Sequence, residues 1–296
     1  MGDPTGIGPE VILKALSDPL PGARPLIFGQ RRIFEALGLP LPSDVEWVET
    51  GGDDPGRRQV KALERGLEAV LAGRADALCT APINKASAMA AGLPYPGHTE
   101  LLARRTGAPR HAMMLAGPQL RVVPLTGHLP LRLVPDQLTV EVVADGLVLT
   151  AEALARDFAL DRPRVALAAL NPHAGEAGLL GEEEQRVLTP GLTRARAELD
   201  RLGVPAELSG PLPSDTLFVP PIPHDAVVCC YHDQALIPVK MLHRDRAVNL
   251  TLGLPIVRTS PAHGTAADIA GQNRADPGSM RAALELAAEL VRRRRG

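Results

Sequence analysis

The stretch that decides the fold is 226–240, "AVVCCYHDQALIPVK". An apolar run ends in two cysteines and a tyrosine, turns polar at His232 and Asp233, and continues into a segment that carries Lys240. Near-continuous apolar runs of about four to eight residues mark strands covered on both faces. The same pattern recurs in "RPLIFG" (24–29), "ADALCTA" (75–81), "HAMMLAG" (111–117), "LRVVPLT" (120–126), "RVALAAL" (164–170) and "AVNLTLG" (247–253). Helical patterns fill 57–72, 135–158 and 181–202, and near the C-terminus Met280, Ala283, Leu284, Ala287, Leu290 and Val291 recur at helical spacing. Strands alternating with helices predict an α/β fold with a largely parallel sheet.

Composition narrows the function. With 296 residues the chain is long enough for one large or two ordinary domains. The 32 basic and 34 acidic residues nearly cancel, so no polyanion is implied as main partner. Aromatics at 2% leave little stacking surface for single-stranded nucleic acid. No run of 18 uncharged apolar residues is present, which speaks against a membrane span. The start, "MGDPTGIGPE", lacks a secretion pattern, and three cysteines make no disulfide framework, so a cytoplasmic protein is expected. The terminal "RRRR" (292–295) reads as a solvated helix end whose cations suit the negative pole of the dipole.

Three histidines follow strand-like runs: His128 after "LRVVPLT", His173 after "RVALAAL" and His232 after "DAVVCCY". Open α/β sheets bind ligands at the carboxyl ends of their strands. Neighbouring strands are about 4.8 Å apart, so imidazoles from such positions can reach one cation. Three histidines and an open position make a catalytic divalent-metal site, with Zn²⁺ the first expectation and Mg²⁺ or Co²⁺ the alternatives. Three separately satisfied loop histidines fit the same spacing, and the pattern alone leaves both readings open. Cys229 and Cys230, on opposite faces of a strand, read as small core residues, as does Cys79.

A second group suits an anion. "GHTE" (97–100) opens a helical segment with His98 and Thr99, and exposed N–H groups at a helix start attract negative charge. Lys240, Asn249 and Arg258 follow His232 at intervals of eight or nine residues, on the next helix and two later strand-like runs, where Lys offers a point charge and Arg a bidentate fork. Scattered surface cations are the plain alternative. The glycine- and alanine-rich "PAHGTAADIAGQNRADPGS" (261–279) is not a Rossmann fingerprint, since GxGxxG is absent.

"GDPTGIGPE", "GHTE", "TGHLPL", "NPHAGE", "GPLPSDTLF", "YHDQ", "VNLTLGLPIVRTS" and "HGTAADIAG" occur in this order across nearly the whole chain. On these motifs the sequence closely resembles the 4-hydroxythreonine-4-phosphate dehydrogenase family of pyridoxal-phosphate biosynthesis. The resemblance implies a two-lobed homodimer, related in fold to isocitrate and isopropylmalate dehydrogenases, with the active site in the interlobe cleft at the dimer interface. It sets the lobes at 1–86 plus 262–296 and at 87–261. It implies that His128, His173 and His232 hold the cation at a site shared between subunits. The phosphorylated amino-acid substrate would contact His98, Thr99, Lys240, Asn249 and Arg258. The dinucleotide would lie along His263, Gly264, Thr265, Ala266 and Asp268. Family members begin with a strand ahead of "GDP", so a natural protein longer at its N-terminus is expected.

The implied reaction is oxidation at C3 with decarboxylation to an aminoketone phosphate. Asp233 is the candidate base or orienter of His232, with Asp215 and Lys85 as alternatives. Asp268, approaching the adenosine ribose, favours NAD over NADP. The rivals are a paralogue oxidising 4-phospho-threonate or 4-phospho-erythronate, a nicotinamide-free metal-dependent aldolase or hydrolase, and a non-catalytic phospho-ligand binder.

Overall fold

The structure, a computed structural model, describes residues 1–93, 95 and 97–295. Its strands are β1 (Leu26–Gly29), β2 (Glu46–Glu49), β3 (Ala77–Cys79), β4 (Ala112–Ala116), β5 (Arg121–Pro124), β6 (Arg164–Ala168), β7 (Glu207–Leu212), β8 (Ala226–Cys229), β9 (Val248–Leu252) and β10 (Val257–Pro261). The chain divides into two compact units, Met1–Pro109 with Asp245–Arg292, and Arg110–Arg244 with Arg293–Gly296. Residues 87–109 and 245–261, expected in the second lobe, therefore fall in the first unit. Hydrogen bonding explains the difference: β10 pairs parallel with β3 and antiparallel with β9, which ties 248–261 to the first unit. The helix His98–Thr106 is held there by Leu101 and Leu102, packed with Leu63, Leu67 and Leu78.

In the first unit β1 and β2 form a parallel pair. Between β1 and β3, which are not paired with each other among the described residues, lies a cavity of about 80 Å³. Met1, Ile27, Ala62, Leu63, Leu78 and Cys79 are among its lining residues. The Met1 ammonium donates to the Phe28 carbonyl at 3.0 Å, and burial pulls its pKa down to about 5.

The second unit has the strand order β4-β5-β8-β6-β7. β5, β8, β6 and β7 run parallel, with Val122 opposite Val227, Leu167 opposite Val228 and Arg164 opposite Glu207, while β4 is antiparallel to β5. Val122, Val165, Leu167, Val227 and Val228 are fully enclosed. Each such side chain stabilises the fold by about 1.5–3 kcal/mol. The helix Val140–Arg156 packs against β6 and β8, its first turn capped by Thr139 Oγ1, which accepts from Val142 N.

Three strands escape the apolar pattern. β2 ("EWVE") is largely open to solvent and is anchored by Trp47, edge-on to Phe34 at 5.0 Å. β7 ("ELSGPL") carries a Gly-Pro step and sits at the end of the strand order, where proline removes no ladder bond. β10 ("VRTSP") is polar by composition yet wholly buried, because its arginine and hydroxyls find partners inside.

The arginine run is not simply solvated. Arg294 donates to both carboxylate oxygens of Asp157, at 2.8 and 3.1 Å, and Arg293 donates to the Phe158 carbonyl. Burial would raise the Asp157 carboxyl, but hydrogen bonds from Arg156 and Arg294 outweigh it and hold the group below its ordinary range. Asp157→Ala should lower the free energy of unfolding by roughly 2–3 kcal/mol in urea titrations. A loss under about 0.5 kcal/mol would contradict this anchoring role.

Candidate active site

The sheet of the second unit builds the first cluster. Because β5, β8 and β6 are adjacent and parallel, their carboxyl ends lie on one edge, and the residues after them run from that edge. Pairing of β5 with β8 continues past the strands, with Leu125 N donating to Cys229 O and Thr126 Oγ1 to Cys230 O, both at 2.8 Å. The segments bearing His128 and His232 are thus locked side by side. Their ring centroids are 5.0 Å apart, with planes tilted by 46°.

His232 opens the helix His232–His243, and its Nδ1 meets Asp233 Oδ1 at 2.7 Å. An ionised carboxylate only accepts, so the proton of a neutral imidazole sits on Nδ1 and the Nε2 lone pair stays available. A carboxylate behind an imidazole is the usual support of a metal-binding histidine. His173 lies in an exposed left-handed turn, in which His173, Ala174, Glu176 and Ala177 all have φ between 42° and 57°. Each such non-glycine residue costs about 1–2 kcal/mol. Among the described residues no group of three or more His, Cys, Asp or Glu is arranged to hold a metal ion. The donor set fits a cation at His128 and His232, and His173 is not gathered with them.

Gln234 was quoted within "YHDQ" but given no part by the sequence. Its Oε1 accepts from Cys230 N at 2.6 Å, and its Nε2 donates to Ala169 O at 2.7 Å and Ser214 Oγ at 2.8 Å. One amide thereby ties together the segments after β6 and β8 and the turn beside Asp215, which is exposed. No local pattern announces this, since Ala169 and Ser214 come from distant stretches. Lys240 is exposed, eight residues or about 12 Å along the helix from His232. The cysteines are structural: Cys229 and Cys230 are buried, and burial raises both thiols.

The first unit builds the second cluster around Arg258 on β10, which is 3% exposed. Its guanidinium donates to Thr251 Oγ1 at 3.1 Å, Thr80 Oγ1 at 2.7 Å and His98 Nδ1 at 3.1 Å. Arg258 Nε and Asn249 Oδ1 are buried with no hydrogen-bond partner among the described residues. Burial pulls the Arg258 pKa down to about 10, so the cation persists at neutral pH. Guanidinium cannot accept, so His98 Nδ1 is the acceptor and its Nε2 carries the proton. Burial, then the Arg258 charge, lower the His98 pKa well below its ordinary value. Lys85 is near, its Cε 3.8 Å from where a Cβ on Gly97 would stand, and Thr99 is half-buried in the first turn of the helix. These neutral donors and one unpaired cation suit phosphate or carboxylate.

The two glycine-rich stretches meet in the same unit. Ile7 N donates to Thr265 O at 2.9 Å, and a Cβ on Gly6 would lie 2.7 Å from that oxygen, so glycine is needed there. Glu10 accepts from Ala275 N at 2.8 Å and holds the far end of 261–279. His263 is half-buried, its Nδ1 3.0 Å from Gly264 O, while Gly264 and Asp268 are exposed and Ala266 has φ 41°. An open cleft of about 560 Å³ adjoins, lined in part by Thr5, Gly6, Arg32, Arg58, Ala270 and Gly271.

Comparison with known proteins gives a consistent picture. A family model described as pyridoxal phosphate biosynthetic protein PdxA matches residues 39–287. A 4-hydroxythreonine-4-phosphate dehydrogenase of Desulfosudis oleivorans is 44% identical, over 97% of this chain and 93% of its own. The solved structure of a 4-hydroxythreonine-4-phosphate dehydrogenase from Klebsiella pneumoniae has a TM-score of 0.88 at 37% identity, covering 98% of this chain and 96% of that one. A terephthalate 1,2-cis-dihydrodiol dehydrogenase from Burkholderia xenovorans LB400 has a TM-score of 0.65 at 29% identity, covering 97% and 96%.

The neutral state of His98 has a pH signature. Its folded pKa lies below its unfolded value near 6.5, so the unfolded chain binds the extra proton. The stabilisation is complete above pH 6.5 and is lost as pH falls below it. Urea unfolding between pH 7.5 and 5 should show stability declining with acid in the wild type and declining less steeply in His98→Asn. Parallel slopes would remove His98 as the titrating group.

Proposed function

Because the chain belongs to the pyridoxal phosphate biosynthetic protein PdxA family, we propose that it is a 4-hydroxythreonine-4-phosphate dehydrogenase. It oxidises the C3 hydroxyl of 4-phosphooxy-L-threonine, and loss of CO₂ from the β-keto acid yields 3-amino-2-oxopropyl phosphate. The near end-to-end identity to the Desulfosudis enzyme carries this reading. The partner-poor cation Arg258, set among Thr80, Thr251 and His98, supports an anionic substrate.

In this reading His128 and His232 would hold a divalent cation, Zn²⁺ first, with Asp233 fixing the tautomer of His232, while His173, expected as the third ligand, is not gathered with them in this structure. When bound, the cation acidifies the substrate alcohol and nicotinamide accepts the hydride. Arg258, His98, Thr99, Asn249 and Lys240 grip the phosphate and carboxylate. Asp233, beside His232, is the candidate base for the C3 hydroxyl proton, with Asp215 and Lys85 the alternatives. His263 to Ala266 follow the dinucleotide, and Asp268 accepts from the ribose 2′-OH, favouring NAD over NADP. The open cleft beside Ala270 and Gly271 supports this assignment.

The protein works as a cytoplasmic homodimer in this reading. Leu131, Leu179 and Met241 of the second unit are 66%, 80% and 81% exposed, which supports a face covered by a second copy. No helix among the described residues is long and apolar enough to cross a membrane.

Absorbance at 340 nm with NAD⁺ and Zn²⁺ should rise with 4-phosphooxy-L-threonine and remain flat with 4-phospho-threonate. The reverse result would assign the paralogous activity, and no growth with either would favour the nicotinamide-free readings. Lys240→Ala, a change at an exposed position, should reduce kcat/KM by roughly 10- to 100-fold, about 1.5–3 kcal/mol for a charged hydrogen bond. An unchanged kcat/KM would take Lys240 out of the substrate site.

A further inference from the structure

We propose that Thr80 and Thr251 are positioning residues that hold Arg258 as an oriented, uncancelled charge; the inference rests on reading Arg258 as part of an anionic-substrate site. Sheet register places all three. Thr259 on β10 is opposite Leu250 on β9, so Arg258 comes opposite Thr251, one step along the antiparallel pair. On the other side Arg258 is opposite Leu78 on β3, and Thr80 lies two residues further on, on the same face. Thr80 N donates to Thr259 O at 3.0 Å, which carries the β3 ladder as far as Thr80. One hydroxyl therefore reaches the guanidinium from each neighbouring strand: Thr251 Oγ1 accepts from Nη1 and Thr80 Oγ1 from Nη2. Asn249 and Ser260, opposite each other, extend the same face. Buried sheet faces ordinarily carry Val, Ile and Leu. Here Thr80, Thr251, Arg258 and Ser260 are buried instead.

The choice of partners decides how the cation is used. A guanidinium has five N–H donors. Nη2 gives its two to Thr80 and His98, and Nη1 gives one to Thr251. A bidentate grip needs an Nη2 N–H beside that of Nε or Nη1, so neither fork is open. The fork expected from the sequence is thus occupied by protein groups, and Arg258 serves as a charge fixed in place. Hydroxyls suit that task, because they accept from a guanidinium without the opposite charge that a carboxylate would bring. With one of them removed, a buried N–H is orphaned and the guanidinium is free to swing toward the gap. The anion would then meet a charge in the wrong place.

The test uses inorganic phosphate as the probe, titrated calorimetrically into the full-length protein, with thermal melts run in parallel. T80V and T251V keep the side-chain shape and remove the hydroxyl; each should bind phosphate at least fivefold more weakly than the wild type. T80S and T251S restore the hydroxyl and should recover most of the affinity. A purely structural role predicts lower melting temperatures in the valine variants with phosphate affinity unchanged, and that result overturns the proposal. A loss that serine does not restore overturns it too, since the hydroxyl is then not the cause. R258K separates the proposal from the reading beneath it. If R258K binds at least tenfold more weakly while the valine variants match the wild type, the anion site stands and the positioning role falls. No phosphate binding by the wild type, or unchanged binding in R258K, overturns the anion reading and the proposal together. Should T80V fail to fold, T251V decides alone, and wild-type affinity there overturns the proposal.

Discussion

Parallel pairing of β5, β8 and β6 is the constraint on which the second unit depends. Once Val122 stands opposite Val227 and Leu167 opposite Val228, register alone determines which residues leave the sheet together. A slip of one residue would turn the enclosed valines to the other face and separate the histidine segments as well. The stability of the core and the alignment of the chemistry are therefore set by the same hydrogen bonds. Thr126 and Gln234 extend this coupling past the strands, where ordinary loops would begin to wander.

The first unit solves a different problem. A guanidinium as buried as Arg258 is costly to desolvate, and its three partners are two hydroxyls and an imidazole. None of them cancels the charge. A carboxylate in the place of His98 would have neutralised the charge within the fold. Keeping His98 neutral, with Nδ1 accepting from the arginine, leaves the cation and the imidazole Nε2–H free to act on an anion. The pH sensitivity derived for His98 is a by-product of this arrangement.

Much of the fold was legible because seven strands announce themselves by apolar runs, and the post-strand placement of His128 and His232 was legible for the same reason. β10 was legible only as a strand-like run bearing Arg258 and not as a buried strand, since "VRTSP" is polar until Thr80, Thr251 and Ala283 are supplied from elsewhere. The division of the chain followed β10, so its boundaries were displaced too. Gln234 was missed because it acts through contacts with distant backbone, which no local spacing encodes. The arginine run was read by composition as solvated, yet Asp157, buried and 137 positions away, recruits Arg294.

The turn at 173–177 is where local preference and structure disagree most sharply. Alanine is a strong helix former and disfavours positive φ, yet Ala174 and Ala177 both adopt it beside His173 and Glu176. A sequence under no demand but stability would place glycine or asparagine there. Flexible residues at those sites would also let the imidazole sample many directions. Stiff residues forced into the left-handed region resist that wandering, provided something buried opposes their relaxation. Glu184, 4% exposed, accepts from the Leu170 and Asn171 amides that leave β6 and supplies such opposition, so strain in the turn and burial of this carboxylate go together.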